Sequence, residues 1–124
     1  MNVEQRLVFV VEDDAVVRAS TRVLLEASGY TICEFISAEQ LLAAGNAQEA
    51  GCIVLDYNLS GMSGMDMMEA LRAQGVRTPA IIVSSNGKDL VARAAKAGVA
   101  AVLRKPMAAD ALLQWLEQIF VTGR

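Results

Sequence analysis

Acidic, hydroxyl and amine side chains follow four of the apolar runs in this sequence. They are Glu12, Asp13 and Asp14 after the first run, Asp56 after the third, Ser84 and Ser85 at the fourth, and Lys105 after the fifth. Asp56 stands out because it directly follows Ile53-Val54-Leu55, and a charged residue in an apolar setting needs a partner. The sequence has no histidine, the commonest general base and metal ligand, so any chemistry must use carboxylates, hydroxyls and amines.

Carboxylates brought together would repel one another and become partly protonated unless a cation neutralised them. Oxygen ligands without histidine or cysteine favour Mg²⁺ or Mn²⁺ over zinc or copper. Such a cation can bridge a carboxylate to a phosphoryl oxygen, and an aspartate can accept a phosphoryl group covalently. Lys105 offers a positive charge and Ser84 a hydroxyl donor for the other phosphoryl oxygens.

The elements that must position these residues are read from the hydrophobic pattern. Strands are predicted at residues 7–11, 30–35, 52–55, 80–84 and 99–103, and they alternate with five helical patterns. Buried strands that alternate with helices predict an α/β fold with a doubly wound parallel sheet covered by helices on both faces. In such sheets ligands bind at the carboxyl ends of the strands, which is where the polar residues fall.

Four local patterns give more specific predictions for the helices. The first helix, over residues 15–28, is expected to bury a stripe of Val16, Val23, Leu24 and Ala27. Ser37 with Gln40, and Ser63 with Asp66, have the spacing of helix caps. The helix after Ser63 is expected to bury Met67, Met68 and Leu71, and the last helix Leu112, Leu113, Leu116, Ile119 and Phe120. Asn86-Gly87 is predicted to turn into the fourth helix, where Val91, Ala94 and Ala95 fit core packing better than a dimer contact.

Each polar residue also has a purely structural interpretation. Acids after a strand are favoured at a helix N-terminus, and a Lys-Pro pair or a serine at a strand end is common in loops. Cys33 and Cys52 lie in apolar runs, so they are interpreted as free core residues, not as a disulfide or a metal site. The joint placement of the acids, serine and lysine at four strand ends favours a functional site.

Composition limits the class of protein. The 124 residues fit one domain, residues 1–124, and the net charge of −3 argues against nucleic-acid binding by it. The apolar runs are far shorter than a membrane span, and the amino terminus lacks the pattern of a signal peptide, so a cytoplasmic location is expected.

Over its whole length the sequence resembles the receiver domain of bacterial response regulators. The resemblance rests on Val11-Glu12-Asp13-Asp14, Val54-Leu55-Asp56, Gly61-Met62-Ser63-Gly64, Ile81-Ile82-Val83-Ser84 and Lys105-Pro106. The Ser37-Ala38-Glu39 and Lys96-Ala97-Gly98 segments are most similar to regulators of the nitrogen-fixation type. The resemblance implies a flavodoxin-like sheet with strand order 2-1-3-4-5 and five helices.

The resemblance also implies a role for each site residue. Asp56 would take a phosphoryl group from the phosphohistidine of a sensor kinase or phosphotransfer protein. Mg²⁺ would be held by Asp13 directly, by Glu12 through water, by a side-chain oxygen of Asp56 and by the backbone carbonyl of Asn58. Lys105 would pair with the phosphoryl group, and Ser84 would be the switch hydroxyl. Asp14 falls outside this acid pair and is treated as a local charge.

Such a domain is a signalling switch that promotes its own phosphorylation and dephosphorylation, not a classical enzyme. The resemblance implies partner contacts, with a downstream protein, an output domain or a second copy, through the fourth and fifth helices and the strand between them. No output domain is expected here, because Arg124 closely follows the last predicted helix. A stand-alone receiver and a piece of a longer regulator or hybrid kinase both fit.

The sequence departs from the family pattern at three positions. Val102 occupies the position of an aromatic residue whose rotation reports phosphorylation, so we expect an atypical readout. Ser60 replaces a proline and is expected to leave a more flexible loop. Ser85 is larger than the usual alanine or glycine and is expected to slow access of phosphodonor or water.

Three alternatives remain at this point. A phosphatase of the haloacid-dehalogenase type would use Asp56 transiently, but it needs a second acid where this sequence has Asn58. A flavodoxin-like cofactor binder would need a hydroxyl- and glycine-rich loop after the first strand, where this sequence has three acids. The third is a receiver that acts as a docking module without phosphorylation, which Val102 and Ser60 keep open.

Overall fold

The computed structural model describes residues 6–85, 90–106 and 109–122. Strands and helices alternate along this part of the chain, with one short 3₁₀ turn. In order they are β1 (Leu7–Val11), α1 (Ala15–Ala27), β2 (Thr31–Phe35), α2 (Ala38–Ala44), the 3₁₀ turn (Ala47–Glu49), β3 (Cys52–Asp56), α3 (Gly64–Ala73), β4 (Ala80–Ser84), α4 (Leu90–Lys96), β5 (Ala101–Arg104) and α5 (Ala109–Thr122). Within the described residues, no helix combines the length and apolarity needed to cross a bilayer.

The strands form one parallel sheet in the order β2-β1-β3-β4-β5, as predicted. Val11 of β1 pairs with Leu55, and Asp56 pairs with Val83. Ser84 pairs with Arg104 at the end of β5. This register brings the carboxyl ends of the four strands β1, β3, β4 and β5 to the same edge of the sheet.

The sheet separates two hydrophobic clusters. On one face Phe9 and Ile53 pack with residues of α2, α3 and α4, including Leu41 and Met68. On the other face the neighbouring strand residues pack with residues of α1 and α5, among them Val8, Val10, Leu25, Leu112 and Leu116. Because the central strands β1, β3 and β4 are covered on both faces, their sequences are almost continuously apolar and do not alternate. The edge strands β2 and β5 are less buried and contain Glu34 and Arg104.

The predicted buried stripe of α1 is wrong. Val16 is 75% exposed and Val23 is 67% exposed; Ala27 is exposed and Leu24 is half-buried. The helix instead buries Thr21 and Leu25. The pattern was misleading because polar residues interrupt the true buried side. Arg18 lies there half-buried and satisfies its guanidinium by donating to the carbonyl of Glu12 at 2.8 Å and to the carboxylate of Glu34 at 3.2 Å.

The predicted helix caps are confirmed. The Ser37 hydroxyl accepts from the amide of Gln40 at 3.0 Å, and the Ser63 hydroxyl accepts from the amide of Asp66 at 3.1 Å. The predicted core of the last two long helices is also confirmed. Met67, Met68, Leu71, Leu112, Leu116 and Ile119 are buried, and Leu113 and Phe120 are half-buried. The caps matter because they fix where α2 and α3 begin, close to the carboxyl edge of the sheet.

Four smaller predictions have mixed outcomes. The fifth strand begins at Ala101, later than expected, because the Val99 amide donates to the carbonyl of Ala94 in the turn that closes α4. Of the small residues of α4, Ala94 is buried, whereas Val91 and Ala95 are exposed. The predicted Asn86-Gly87 turn lies outside the described residues. Cys33 and Cys52 are free, as expected.

The C-terminal end of α4 is held by a side chain of α3. The half-buried guanidinium of Arg72 donates to the carbonyl of Ala97 at 2.6 Å, to that of Val76 at 2.9 Å and, more weakly, to that of Gly98 at 3.4 Å. A cation at a helix C-terminus is favourable because the last carbonyls there lack helical partners. Burial lowers the pKa of Arg72, but an arginine remains charged at neutral pH.

The corrected orientation of α1 predicts how its substitutions affect stability. Leu25→Ala removes a fully buried side chain and should lower the free energy of unfolding by about 2–5 kcal/mol. Val23→Ala, on the exposed side of the same helix, should change it by less than about 0.5 kcal/mol. Urea denaturation of both variants measures the difference; equal losses would mean that α1 packs through its other side.

Candidate functional site

The carboxyl edge of the sheet gathers the predicted site residues. Asp56 ends β3, Glu12 follows β1 and Ser84 ends β4, and all three are buried, with exposed fractions of 5%, 7% and 1%. Asp13 is exposed beside them, and the side chain of Lys105, just past β5, is 36% exposed. The site is therefore a cleft whose floor is buried and whose rim is open to solvent.

Three carboxylates form the centre of this cleft. Glu12, Asp13 and Asp56 each offer an oxygen, and these oxygens all lie within 4.8 Å of one another. Burial raises the pKa of Glu12 to about 7, and the charge of Asp56 adds to the effect. Burial beside Asp56 therefore disfavours the charged form of Glu12, and a nearby cation would favour it.

Asp56 is held by a cation and by its own loop. The ammonium of Lys105 donates to Oδ2 at 2.8 Å, and the amide of Asn58 donates to Oδ1 at 3.0 Å. The hydrogen bond to Asp56 raises the pKa of Lys105, so the amine stays charged. Lys105 and Asp56 are thus in contact although 49 positions separate them along the chain.

Asp13 is held by the loop that follows β3. The amide of Ser60 donates to Oδ2 of Asp13 at 3.0 Å, and the Ser60 hydroxyl donates to the same oxygen at 2.8 Å. These bonds lower the pKa of Asp13. The loop was expected to be more flexible at Ser60 because proline is missing there. Instead, the serine makes two contacts with a site residue, which sequence reasoning missed.

Asp14 does not join the cluster. Its Oδ1 accepts from the amides of Val16 at 2.9 Å and Val17 at 3.0 Å, so it is the N-cap of α1. Its own amide donates to Oε2 of Glu12 at 3.1 Å. Asp14 therefore has the purely structural role of a helix cap. Glu12 and Asp13, in contrast, belong to the carboxylate cluster.

The β3–α3 loop, residues 57–63, has a second anchor. Oε2 of Glu39, at the start of α2, accepts from the amide of Met62 at 2.8 Å. Gly61 has a φ of +79°, which favours glycine, and a Cβ there would come within 2.6 Å of this oxygen, so the Glu39 carboxylate would have to shift. Gly64 allows an equally close approach, because a Cβ would lie 2.6 Å from the carbonyl oxygen of Asp56.

An apolar cavity of about 670 Å³ opens beside the cleft, between α1 and the start of α5. Val16, Val17, Leu24 and Ala109 line it, and Asp56 and Lys105 lie at its end. The exposed valines of α1 thus border the site. Two further positions that depart from the family pattern lie at β4 and β5. Ser85 is exposed, and Val102 is half-buried against the hydrophobic cluster that includes residues of α4.

The donor set fits a hard divalent cation. The side chains that could bind a cation are the carboxylates of Glu12, Asp13 and Asp56, and the first and last of these are buried. Carboxylate oxygens are ligands that suit Mg²⁺. Asn58 comes two residues after Asp56 and its amide contacts Oδ1 of Asp56, while coordination by its backbone carbonyl stays a prediction.

Comparison with known proteins finds one family throughout. The profile of the family described as response regulator receiver domain matches residues 8–117. The transcriptional regulatory protein FixJ of Azorhizobium caulinodans is 38% identical over 100 residues, which are 80% of this chain and 47% of that protein. The sensory/regulatory protein RpfC of Xanthomonas campestris is 33% identical over 120 residues, which are 93% of this chain and 16% of that protein. The chain spans about half the length of the FixJ relatives it matches, and less of others.

Solved structures agree. The response regulator StyR has a TM-score of 0.86 at 36% identity, covering 93% of this chain and 59% of that chain. The structure named FixJ-N has a TM-score of 0.85 at 25% identity and covers 97% of both chains.

The cluster of three carboxylates predicts that Mg²⁺ stabilises the folded protein. Adding Mg²⁺ should raise the melting temperature, because a ligand that binds the folded state at about 100 times its Kd adds about 2.7 kcal/mol. Asp13→Asn should abolish most of this increase by removing a charged ligand. Asp14→Asn is the matched control, since asparagine also caps helices and Asp14 lies outside the cluster. A Mg²⁺ effect that persists in Asp13→Asn would place the cation elsewhere.

Proposed function

The chain belongs to the response regulator receiver domains of two-component systems, and from this membership we propose that it is a phosphoacceptor switch with Asp56 as the acceptor. The observation that carries the proposal is the setting of Asp56. It is a buried carboxylate in contact with a lysine, with two further carboxylates close enough to share a cation. Family membership alone would leave the acceptor open, whereas this arrangement favours one residue.

In the proposed reaction an oxygen of Asp56 attacks the phosphorus of a phosphohistidine. The new O–P bond forms as the P–N bond breaks, and the imidazole leaves with the electron pair of that bond. Mg²⁺, held by Glu12, Asp13, Asp56 and the carbonyl of Asn58, would neutralise charge on the carboxylates and the phosphoryl oxygens when bound. The amide of Asn58 keeps the acceptor carboxylate oriented before the donor arrives.

Lys105 has a separate task in this proposal. Its ammonium lies 2.8 Å from Asp56 Oδ2 and places a positive charge beside the acceptor. Once the phosphoryl group is attached, the negative charge has moved outward, and the flexible lysine side chain can follow it to a phosphoryl oxygen. The same groups would serve the return reaction, in which water attacks phosphorus and inorganic phosphate leaves. The domain therefore promotes its own phosphorylation and dephosphorylation.

The readout is proposed to run through Ser84. Its hydroxyl is buried at the end of β4, beside the strand that carries Asp56. A phosphoryl group on Asp56 would offer it an acceptor oxygen and pull the chain after β4 toward the site, on the way to α4. Val102 cannot report this by an aromatic flip, so the displacement of the α4 end must itself be the signal.

The partners follow from the same geometry. The phosphodonor, a sensor histidine kinase or phosphotransfer protein, must bring its histidine to the cleft, and the exposed apolar side of α1 that borders the cleft fits such a contact. The downstream partner or output domain is proposed to contact α4, β5 and α5, where a homodimer would also form. We propose that this exchange takes place in the cytoplasm and, given the net charge of −3, that this domain binds no nucleic acid itself.

Phosphorylation can be tested with a small donor. Incubation with acetyl phosphate and Mg²⁺ should add the mass of one phosphoryl group to the intact protein. Asp56→Asn should abolish the addition, and Asp66→Asn, an exposed acid at the start of α3, should not. Wild-type protein that gains no phosphoryl mass would contradict the proposal and favour a docking module that works without phosphorylation.

The role of Ser84 can be separated from phosphorylation. Binding of beryllofluoride, a phosphoryl mimic, should change amide hydrogen exchange in α4 of the wild type. Ser84→Ala should lose this change while it still accepts a phosphoryl group from acetyl phosphate. Ser85→Ala, at the exposed neighbouring position, should behave as wild type in the exchange experiment. The same α4 response in Ser84→Ala and wild type would rule out the serine as the switch.

A further inference from the structure

We propose that Ser60 is a positioning residue for the divalent cation, acting through Asp13. Its amide and hydroxyl hold Oδ2 of Asp13 and so fix the orientation of this carboxylate before the cation binds. The inference rests on the proposed function in one respect, because Asp13 is taken as a ligand of the cation.

The contacts are unusual in that two donors of one residue share one acceptor atom. The amide nitrogen of Ser60 lies 3.0 Å from Asp13 Oδ2 and the hydroxyl oxygen lies 2.8 Å from it. A carboxylate oxygen has two lone pairs, so these two bonds satisfy Oδ2. Binding of a cation through both oxygens of Asp13 would have to displace them. Ser60 therefore favours coordination through one oxygen, which suits the octahedral preference of Mg²⁺.

Asp13 needs such support because it is exposed. Glu12 and Asp56 are fixed by burial, whereas the surface carboxylate of Asp13 would otherwise rotate and lose that freedom on binding a cation. Ser60 restricts it beforehand, across 47 positions of sequence. A proline, the residue that the family resemblance leads one to expect here, has neither an amide hydrogen nor a hydroxyl and could make neither contact.

Two effects of Ser60 on cation affinity oppose each other. Hydrogen bonds to Oδ2 draw some negative charge away from the cation, which weakens binding. They also orient the ligand, and removal of a hydrogen-bond partner that orients a metal ligand typically costs about 10–100-fold in metal affinity. Orientation is the larger effect for an exposed ligand, so loss of the Ser60 hydroxyl should weaken binding.

The loop itself offers a matched control. Glu39 anchors the same loop two residues further on, through the amide of Met62, and has no contact with Asp13 among those described. Ser60→Ala and Glu39→Ala each remove one contact that holds the loop. Only the first removes a contact to a proposed ligand. Ser60→Thr keeps the hydroxyl and serves as the conservative variant.

Cation affinity is measured directly, without any phosphorylation. Mg²⁺ binding is followed by isothermal titration calorimetry and Mn²⁺ binding by the electron paramagnetic resonance signal of the free ion. Ser60→Ala should bind both ions on the order of tenfold more weakly than wild type. Ser60→Thr should restore most of the affinity, and Glu39→Ala should lose clearly less than Ser60→Ala. Wild-type affinity in Ser60→Ala, or equal losses in Ser60→Ala and Glu39→Ala, would overturn the proposal.

The outcome is distinguishable from that of the proposed function. If the wild type binds Mg²⁺ and accepts a phosphoryl group while Ser60→Ala binds Mg²⁺ equally well, only the positioning role fails. If Ser60→Ala weakens Mg²⁺ binding but the wild type accepts no phosphoryl group, the phosphoacceptor function fails and the positioning role stands. A wild type that binds neither Mg²⁺ nor Mn²⁺ would overturn both.

Discussion

Mutual repulsion of three carboxylates at one edge of the sheet is the constraint on which the surrounding structure depends. Each carboxylate receives a backbone amide from a nearby loop: Glu12 from Asp14, Asp56 from Asn58 and Asp13 from Ser60. Such bonds favour the charged form, and Lys105 adds a positive charge. For Glu12, the hydrogen bond from Asp14 and the charge of Lys105 lower the pKa less than burial and Asp56 raise it, so this pKa stays at about 7. A divalent cation bound between the three carboxylates would neutralise part of their charge and favour the ionised form of Glu12.

The helix α4 is packed against the core by fewer residues than the neighbouring helix α3. Within the described residues α4 buries two side chains, Leu90 and Ala94, whereas α3 buries five residues. α4 also contacts α3 through the exposed side chain of Arg93, which forms ion pairs with Asp66 and Glu69 at 2.6–2.8 Å. Exposed ion pairs contribute only about 0–1 kcal/mol each. Displacing α4 therefore costs less than displacing α3, which suits the proposed response of this helix to Ser84.

Alternation of strand and helix was enough to predict the sheet, its parallel direction and the edge on which Asp56 and Lys105 meet. That inference works because β1, β3 and β4 are apolar up to their carboxyl ends, where Glu12 follows β1, and Asp56 and Ser84 end β3 and β4. It could not find the buried side of α1, since Arg18 and Thr21 look polar until their partners in Glu12, Glu34 and the core are known. It also could not find Ser60 or Glu39. Their contacts join residues 47 and 23 positions apart, and a local pattern carries no information about such pairs.

The contact of Arg72 with the end of α4 has a consequence for how this surface can evolve. Its acceptors there are the main-chain carbonyls of Ala97 and Gly98, which every residue type supplies. Exchange of the exposed side chains of α4 therefore leaves the anchorage of that end intact. Under the proposed function, in which partners contact α4, the exposed side chains of this helix can change with the partner while its attachment to α3 is retained, so a change of binding specificity need not disturb the fold.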